Sequence, residues 1–235
     1  MNEKEGLDRC LEEDASTSSQ RSSFSSYRAA MQQPLKHVLP QELQSYFDRV
    51  VRTVEKRDEK ALEPTLSSLR TDPGLHPLLP YFASFIVKQA ADKRTFSSMA
   101  ASRCLLSTIQ ALVDNESVDW ERYLHQVLPV IVTFLVRRNI GGGLGEDHWG
   151  LRRQAARVAA AICGRFKGDR SFYSLQTRIA RTLVTQGLMD TSKALTSHYG
   201  AIVGISALGP HAVESSLVPH MSTYLPRLGK AMSVR

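Results

Sequence analysis

Apolar pairs beside a proline recur along this chain, and further apolar side chains follow each pair about two helical turns later. The recurring segments are Leu78-Leu79-Pro80 to Ile86-Val87, Val127-Leu128-Pro129 to Leu135-Val136, Leu175-Gln176-Thr177 to Leu183-Val184, and Leu217-Val218-Pro219 to Leu225. In the third segment Thr177 replaces the proline. The segments recur every 42 to 49 residues, near the roughly 40–47-residue period of HEAT and armadillo repeats. This spacing predicts a solenoid of helix pairs, a fold that commonly binds other macromolecules along an extended surface.

Two amphipathic helices are predicted before the first of these segments, over residues 41–51 and 59–70. Their apolar positions recur at helical spacing and are Leu43, Phe47, Val50, Val54, Leu62, Leu66 and Leu69. The dipeptide Pro73-Gly74, preceded by Asp72, predicts a turn after the second helix. The two helices therefore form a first repeat whose proline segment has diverged.

A second helix is predicted within each later repeat, over residues 96–113, 149–166 and 197–208. The middle one has a core stripe of Leu151, Ala155, Val158 and Ile162, which leaves Arg153 and Arg157 on the opposite face. Gly200 and Gly204 in the last one allow a neighbouring helix to approach closely. A tryptophan at a helix start usually packs against the preceding repeat, so we expect Trp149 in the core.

The apolar run over residues 127–136 is rich in β-branched side chains and could also form a buried strand. The preceding residues extend its pattern to about sixteen positions, Asp119 is a suitable N-cap, and no hairpin turn flanks the run. We therefore predict a buried helix that Pro129 kinks or begins. The chain as a whole is predicted to be all-α, a HEAT-type solenoid of four to five antiparallel helix pairs.

The chain divides by composition into two parts. Residues 1–33 are rich in serine and poor in apolar side chains, so they are expected to form a disordered linker. Residues 34–235 form the predicted repeat domain. The N-terminus is acidic and lacks the apolar stretch of a secretory signal. The longest apolar run has ten residues, about half of what a membrane span needs, which predicts a soluble protein with no membrane partner.

The charge balance is basic, with 30 Lys and Arg against 23 Asp and Glu and a net charge of +7. Equivalent exposed positions of stacked repeats could align arginines into a ladder. The candidate partner-binding residues are Arg137, Arg138, Arg153, Arg157, Arg178 and Arg181. Three roles stay open for them: solvated faces with hydrogen bonds between repeats, contacts to acidic proteins, and contacts to nucleic-acid phosphates. No aromatic side chains alternate with them to stack bases.

Catalytic and ligand-binding motifs are missing from the sequence. The Gly-rich segment over residues 140–145 lacks the Gly-Lys-Ser/Thr ending of a phosphate-binding loop, which favours a flexible inter-helix loop. Ser206 lies in an imperfect nucleophile-elbow pattern with no preceding strand. Cys10, Cys104 and Cys163 form no C-x-x-C pair, and the seven histidines show no metal-binding spacing. We therefore predict no enzyme activity, no cofactor, no metal and no small-molecule substrate.

Four groups of residues resemble one known family over about residues 34–228. They are Thr71 to Leu75 with Leu79-Pro80-Tyr81-Phe82, Asp147-His148-Trp149-Gly150-Leu151-Arg152, His198-Tyr199-Gly200-Ala201-Ile202-Val203-Gly204, and Pro219-His220-Met221-Ser222-Thr223-Tyr224. The family is the sixth TATA-binding-protein-associated factor of TFIID. The last group is most similar to its "six-like" paralogue in SAGA-type acetyltransferase complexes.

The resemblance implies a C-terminal HEAT-repeat domain that acts as a non-catalytic scaffold of a nuclear coactivator, TFIID or a SAGA-type complex, in transcription initiation by RNA polymerase II. Its partners would be other subunits of that complex, and the motif residues would be structural. The histone fold of the family has no counterpart in this sequence, so we expect a fragment or an isoform. The alternatives are a basic module that binds nucleic acid directly and a peptide-binding adaptor.

Overall fold

The computed structural model describes residues 39–143, 145–165 and 170–233. All regular secondary structure in these ranges is helical, as the sequence predicts. The nine longer helices of this part are α1 Gln41–Lys56, α2 Glu59–Thr71, α3 Leu79–Ala91, α4 Met99–Asp114, α5 Leu124–Val136, α6 His148–Arg165, α7 Arg170–Leu183, α8 Leu195–Ala207 and α9 Val218–Ser233. The predicted linker, residues 1–33, lies outside the described residues.

The helices stack in two layers, as expected for antiparallel pairs. Helices α2, α4, α6 and α8 pack against one another in chain order and form the second-helix layer. Helices α1, α3, α5 and α7 form the first-helix layer, in which α3 packs on α5 and α5 on α7. The pairs are α1–α2, α3–α4, α5–α6 and α7–α8, and α9 follows them. The predicted solenoid of four to five pairs is confirmed.

Most of the core lies between the two layers. Fully buried side chains come from both, with Phe82 and Ile86 on α3, Leu105 on α4 and Phe134 on α5. In the first repeats aromatic rings link α1 to α3, with 5.1 Å between the ring centroids of Phe47 and Phe82. Each buried aliphatic or aromatic side chain contributes roughly 1.5–3 kcal/mol on removal from water, which is why the apolar stripes define the packing faces.

Polar side chains fix several helix starts. Asp58 accepts from the backbone N–H groups of Lys60 and Ala61 at the start of α2. Ser98 accepts from Ala101 N–H at the start of α4. Since the first N–H groups of a helix lack intrahelical partners, such caps stabilise the helix by about 1 kcal/mol each.

The structure corrects the predicted elements at three places. The predicted turn at Asp72 opens the 3-10 helix Pro73–Leu78, in which Asp72 accepts from Gly74 N–H at 2.8 Å. The predicted helix over 96–113 is two helices, Lys93–Ser97 and α4, because Ser98 has extended backbone angles and caps the second. Asp119 does not cap α5; it accepts from Glu121 N–H in the 3-10 turn Glu121–Tyr123, and α5 begins at Leu124.

The recurring prolines occupy early positions in the helices of the first layer. Pro80 is the second residue of α3, where a missing N–H group removes no helix hydrogen bond. Pro219 is the second residue of α9, which continues directly from the π-helical turn Val213–Leu217. Pro129 lies inside α5, one turn further along its helix than Pro80. Helix α7 is extended by the π-helical turn Val184–Leu188.

The helices in the described ranges fall short of a membrane span. None of them combines the length and the apolar character needed to cross a bilayer.

Candidate functional site

The second of the four residue groups, Asp147 to Arg152, forms the second motif and lies at the start of helix α6. Some residues of this region are exposed and others belong to the core. Asp147 accepts from Gly150 N–H at 2.8 Å and so caps the start of α6. Leu151 and Arg152 are buried, whereas Arg153 and Arg157 are exposed. The helical period places these two arginines on the face opposite the core stripe, as predicted.

Arg152 is the largest fully buried side chain in the described residues, with no exposed surface. Its guanidinium donates to the carbonyl of Leu135, to that of Arg137 at 2.5 Å and to that of Arg138 at 3.4 Å. These carbonyls end helix α5, where the helix dipole is negative and favours a cation. Burial lowers the pKa of Arg152 to about 10, so the side chain keeps its charge at neutral pH. We infer that the hydrogen bonds of Arg152 hold α6 against the end of α5.

Helix α8 also packs against the end of α5, and Gly200 is the residue at this contact. A Cβ atom at this position would lie 2.7 Å from the carbonyl carbon of Leu135 and 3.2 Å from Nη1 of Arg152. One turn later, a Cβ at Gly204 would lie 2.7 Å from Cδ1 of Leu183. The two glycines therefore let α8 pack directly against the end of α5, and the second and third motifs meet there.

Arg165 makes similar hydrogen bonds at the other end of α6. This role was not predicted from the sequence. Arg165 donates to four backbone carbonyls at and after the end of α4: those of Val113, Asn115, Glu116 and Val118, at 2.7 to 3.2 Å. Its position in the last turn of a helix does not predict these hydrogen bonds, because the carbonyls lie 47–52 residues away in the chain. Both ends of α6 thus bind the helix termini of preceding repeats.

Trp149 is 39% exposed, so the expectation that it belongs to the core is wrong. Two positions separate it from Leu151, and the helical period turns it away from the buried stripe. Its ring packs edge-on against Tyr199 of α8, with 4.6 Å between centroids. The Tyr199 hydroxyl accepts from Arg153 Nη1 at 3.2 Å. The second and third motifs therefore also meet on the surface of the second-helix layer.

The six candidate arginines do not lie on one face. Arg153 and Arg157 lie on the second-helix layer, whereas Arg178 and Arg181 are exposed on α7 of the first-helix layer. The guanidinium carbon of Arg137 lies 4.3 Å from the ring centroid of Phe96. The predicted ladder is therefore divided between two layers, because the arginines come from both helices of their pairs.

The remaining motif residues make local contacts in the last two repeats. The ring of His198 lies 5.5 Å from that of Tyr224, and its Nε2 lies 3.3 Å from the carbonyl oxygen of Asp190. Pro219 is exposed in the first turn of α9. These contacts join α8 to α9 and to the loop before α8.

The residues that could bind a ligand or take part in catalysis do not come together into one site in the described part of the chain. Gly141 N–H donates to Phe96 O at 2.8 Å, and Gly142 N–H donates to the Glu146 carboxylate at 2.8 Å. The Glu146 carboxylate thus accepts from the backbone N–H group that a bound phosphate would need. No group of histidine, cysteine or acidic side chains in the described part of the chain could hold a metal ion. Burial raises the pKa of the Cys163 thiol to about 11, so that thiol is un-ionised at neutral pH.

Acid is expected to destabilise the domain through His148. Burial, followed by the charge of Arg152, lowers its pKa below 6.5, and its buried Nδ1 has no hydrogen-bond partner among the described residues. The unfolded chain therefore binds a proton more readily, and stability is lost as the pH falls through about 6.5. We expect the thermal midpoint to fall less between pH 7.5 and pH 5.5 in His148→Gln than in the wild type. Identical pH dependence in the two chains would contradict this account.

Comparison with known proteins gives one family match. The family described as "TAF6 C-terminal HEAT repeat domain" matches residues 35–222. Among solved structures, the chain is similar to the TAF6 C-terminal domain from Antonospora locustae, with a TM-score of 0.68 and 26% identity. That similarity covers 80% of this chain and 89% of the other.

Three relatives show the range of similar proteins. Transcription initiation factor TFIID subunit 6 of Arabidopsis thaliana is 39% identical over 83% of this chain. The SAGA complex/transcription factor TFIID complex subunit Taf6 of Schizosaccharomyces pombe is 34% identical over 81%. The mouse TAF6-like RNA polymerase II p300/CBP-associated factor-associated factor 65 kDa subunit 6L is 30% identical over 81%. The chain spans 36%, 41% and 30% of their respective lengths.

Proposed function

Since this chain belongs to the family of TAF6 C-terminal HEAT repeat domains, we propose that it is a non-catalytic scaffold within a nuclear transcription coactivator complex of the TFIID or SAGA type. The family match over residues 35–222 carries this proposal. Two of the relatives are named as TFIID subunits, and the Schizosaccharomyces pombe protein is named as a subunit of both SAGA and TFIID. The chain would support initiation by RNA polymerase II through contacts with other subunits of such a complex.

The packing supports a scaffold role. Two motif residues make contacts between helices: Arg152 donates to backbone carbonyls at the end of α5, and Gly200 lies where α8 crosses α5. Helix α6 contacts the ends of α4 and α5 through its two terminal arginines. Such cross-links between successive repeats hold the layers in register, and a rigid extended surface is what a subunit needs to hold several partners.

The relatives do not favour SAGA over TFIID for this chain. Identity is 39% to the Arabidopsis TFIID subunit and 30% to the mouse "six-like" protein, although the group from Pro219 to Tyr224 had favoured the latter. We therefore propose membership of either complex. Direct nucleic-acid binding has no support among the relatives, and the division of the arginines between two layers weakens it further.

Affinity purification tests this proposal. The full chain with an epitope tag is expressed in cells and recovered from nuclear extract, and co-purified proteins are quantified by mass spectrometry against an untagged control. We expect several subunits of one complex, TFIID or SAGA, to be enriched together. Recovery of neither complex by a chain that is shown to be folded would contradict the proposal.

A further inference from the structure

Two helices of the second-helix layer present an apolar and basic surface beside each other. On α6, Trp149, Arg153 and Arg157 follow one another at intervals of four residues, so they form one stripe. On α8, Leu195 precedes Tyr199 by one turn and is 47% exposed. The ring contact between Trp149 and Tyr199 and the hydrogen bond from Arg153 to Tyr199 join the two stripes. We name these five residues the aromatic–arginine patch.

The two arginines of this patch form no ion pair within the described residues, although the charge of Asp147, the cap of α6, acts on Arg153. In the described residues, neither Arg153 nor Arg157 has an acidic side chain within ion-pair distance; the two ion pairs found there are Arg70–Glu63 and Lys193–Asp190. The carboxylates that begin α6 and precede α8 are already engaged. Asp147 caps α6, Glu146 accepts from Gly142 N–H, and Asp190 accepts from Ser192.

We infer that the aromatic–arginine patch binds an acidic peptide segment that carries a large apolar side chain. The apolar side chain would pack on Trp149 and Leu195, and the acidic groups would pair with Arg153 and Arg157. Such a surface has the composition of a binding hot spot, in which tryptophan, tyrosine and arginine are enriched. The inference deepens the proposed scaffold function and rests on it, because it names one kind of partner segment.

A peptide fits the patch better than a nucleic acid does. Base stacking needs an open aromatic face, whereas Trp149 already packs against His148, with centroids 4.2 Å apart, and against Tyr199. Leu195 adds an aliphatic surface that favours side chains over bases. Nucleic-acid binding also draws most of its affinity from many phosphate contacts, and the patch has two arginines.

Selection from a phage library of random 16-residue peptides tests this inference. We expect the full chain to enrich peptides that are acidic and contain tryptophan, phenylalanine or leucine. Enriched peptides are then measured by fluorescence anisotropy, with an oligothymidylate of similar length as the nucleic-acid probe. Enrichment of neutral or basic peptides, the absence of any enriched peptide, or tighter binding of the oligothymidylate would overturn the inference.

Matched variants localise the binding. Arg153→Glu with Arg157→Glu is expected to weaken peptide binding by roughly tenfold or more, whereas Arg178→Glu with Arg181→Glu changes the net charge equally on the other layer and is expected to leave it unchanged. Trp149→Ala is expected to weaken binding similarly, and Leu225→Ala, at a side chain 57% exposed elsewhere, is not. Equal loss in both charge variants would overturn the inference. Because this assay uses no coactivator subunit, its failure is distinct from a failed purification.

Discussion

Replacing Arg152 by methionine is expected to lower the free energy of unfolding by about 3–4 kcal/mol. The guanidinium donates to the backbone carbonyls of Leu135, Arg137 and Arg138 in a position with no exposed surface. Methionine fills a similar space but donates no hydrogen bond, so buried carbonyls at the end of α5 lose their donor. Each unsatisfied buried group costs about 1–3 kcal/mol, and solvent can recover only part of this at the helix end.

Urea unfolding monitored by circular dichroism measures the effect of this substitution. Arg153→Met is the matched control, because it removes the neighbouring but exposed arginine and is expected to change stability by no more than about 0.5 kcal/mol. Arg152→Lys should recover little, since an ammonium group lacks the planar fork that reaches several carbonyls. Equal stability of the Arg152→Met and Arg153→Met chains would show that the buried contacts contribute nothing.

Gly200→Ala is expected to cost about 2–4 kcal/mol, although alanine is the better helix former. The new Cβ would lie 2.7 Å from the carbonyl carbon of Leu135, which is backbone and cannot rotate away. Helix α8 would have to move away from α5, and the contact of Nη1 of Arg152, 3.2 Å from the Cβ position, would be disturbed as well. Overpacking a close helix crossing usually costs 1–3 kcal/mol, and a clash with backbone is at the upper end.

Gly164→Ala serves as the control for this substitution. Gly164 lies near the end of α6, where a Cβ would meet no heavy atom of the described residues within 4 Å beyond its own helix backbone and chain neighbours. Alanine there is expected to stabilise the domain by about 0.5–1 kcal/mol through its helix propensity. Opposite signs for the two substitutions in urea unfolding would confirm the crossing, whereas stabilisation in both would mean that α8 does not approach α5 so closely.

The fold could be predicted from the sequence because its signals are local and periodic. The spacing of the apolar–proline segments predicts the repeat. The stripe of Leu151, Ala155 and Val158 predicts the buried face of α6, and the structure confirms that these three side chains are buried. Helix ends were less certain, because a side chain such as Ser98 or Asp119 can cap more than one kind of turn. The choice depends on packing that a local pattern does not contain.

The candidate site could be predicted only in part. The motif residues were identified, but their contacts were not, because Arg152 and Tyr199 meet partners that are 14–17 and 46 residues away. Arginine is rarely buried, so a basic cluster suggested an exposed ladder. The buried role of Arg152 depends on the open end of α5, and the exposure of Trp149 depends on the orientation of α6. Both are tertiary properties.

Affinity purification of the wild-type chain beside Arg152→Met tests the central claim, a scaffold whose motif residues hold successive repeats together. We expect the wild-type chain to recover several subunits of one TFIID- or SAGA-type complex from nuclear extract, and Arg152→Met to recover less of each in proportion to its lower folded fraction. Recovery of no such subunit by the folded wild-type chain would contradict this claim.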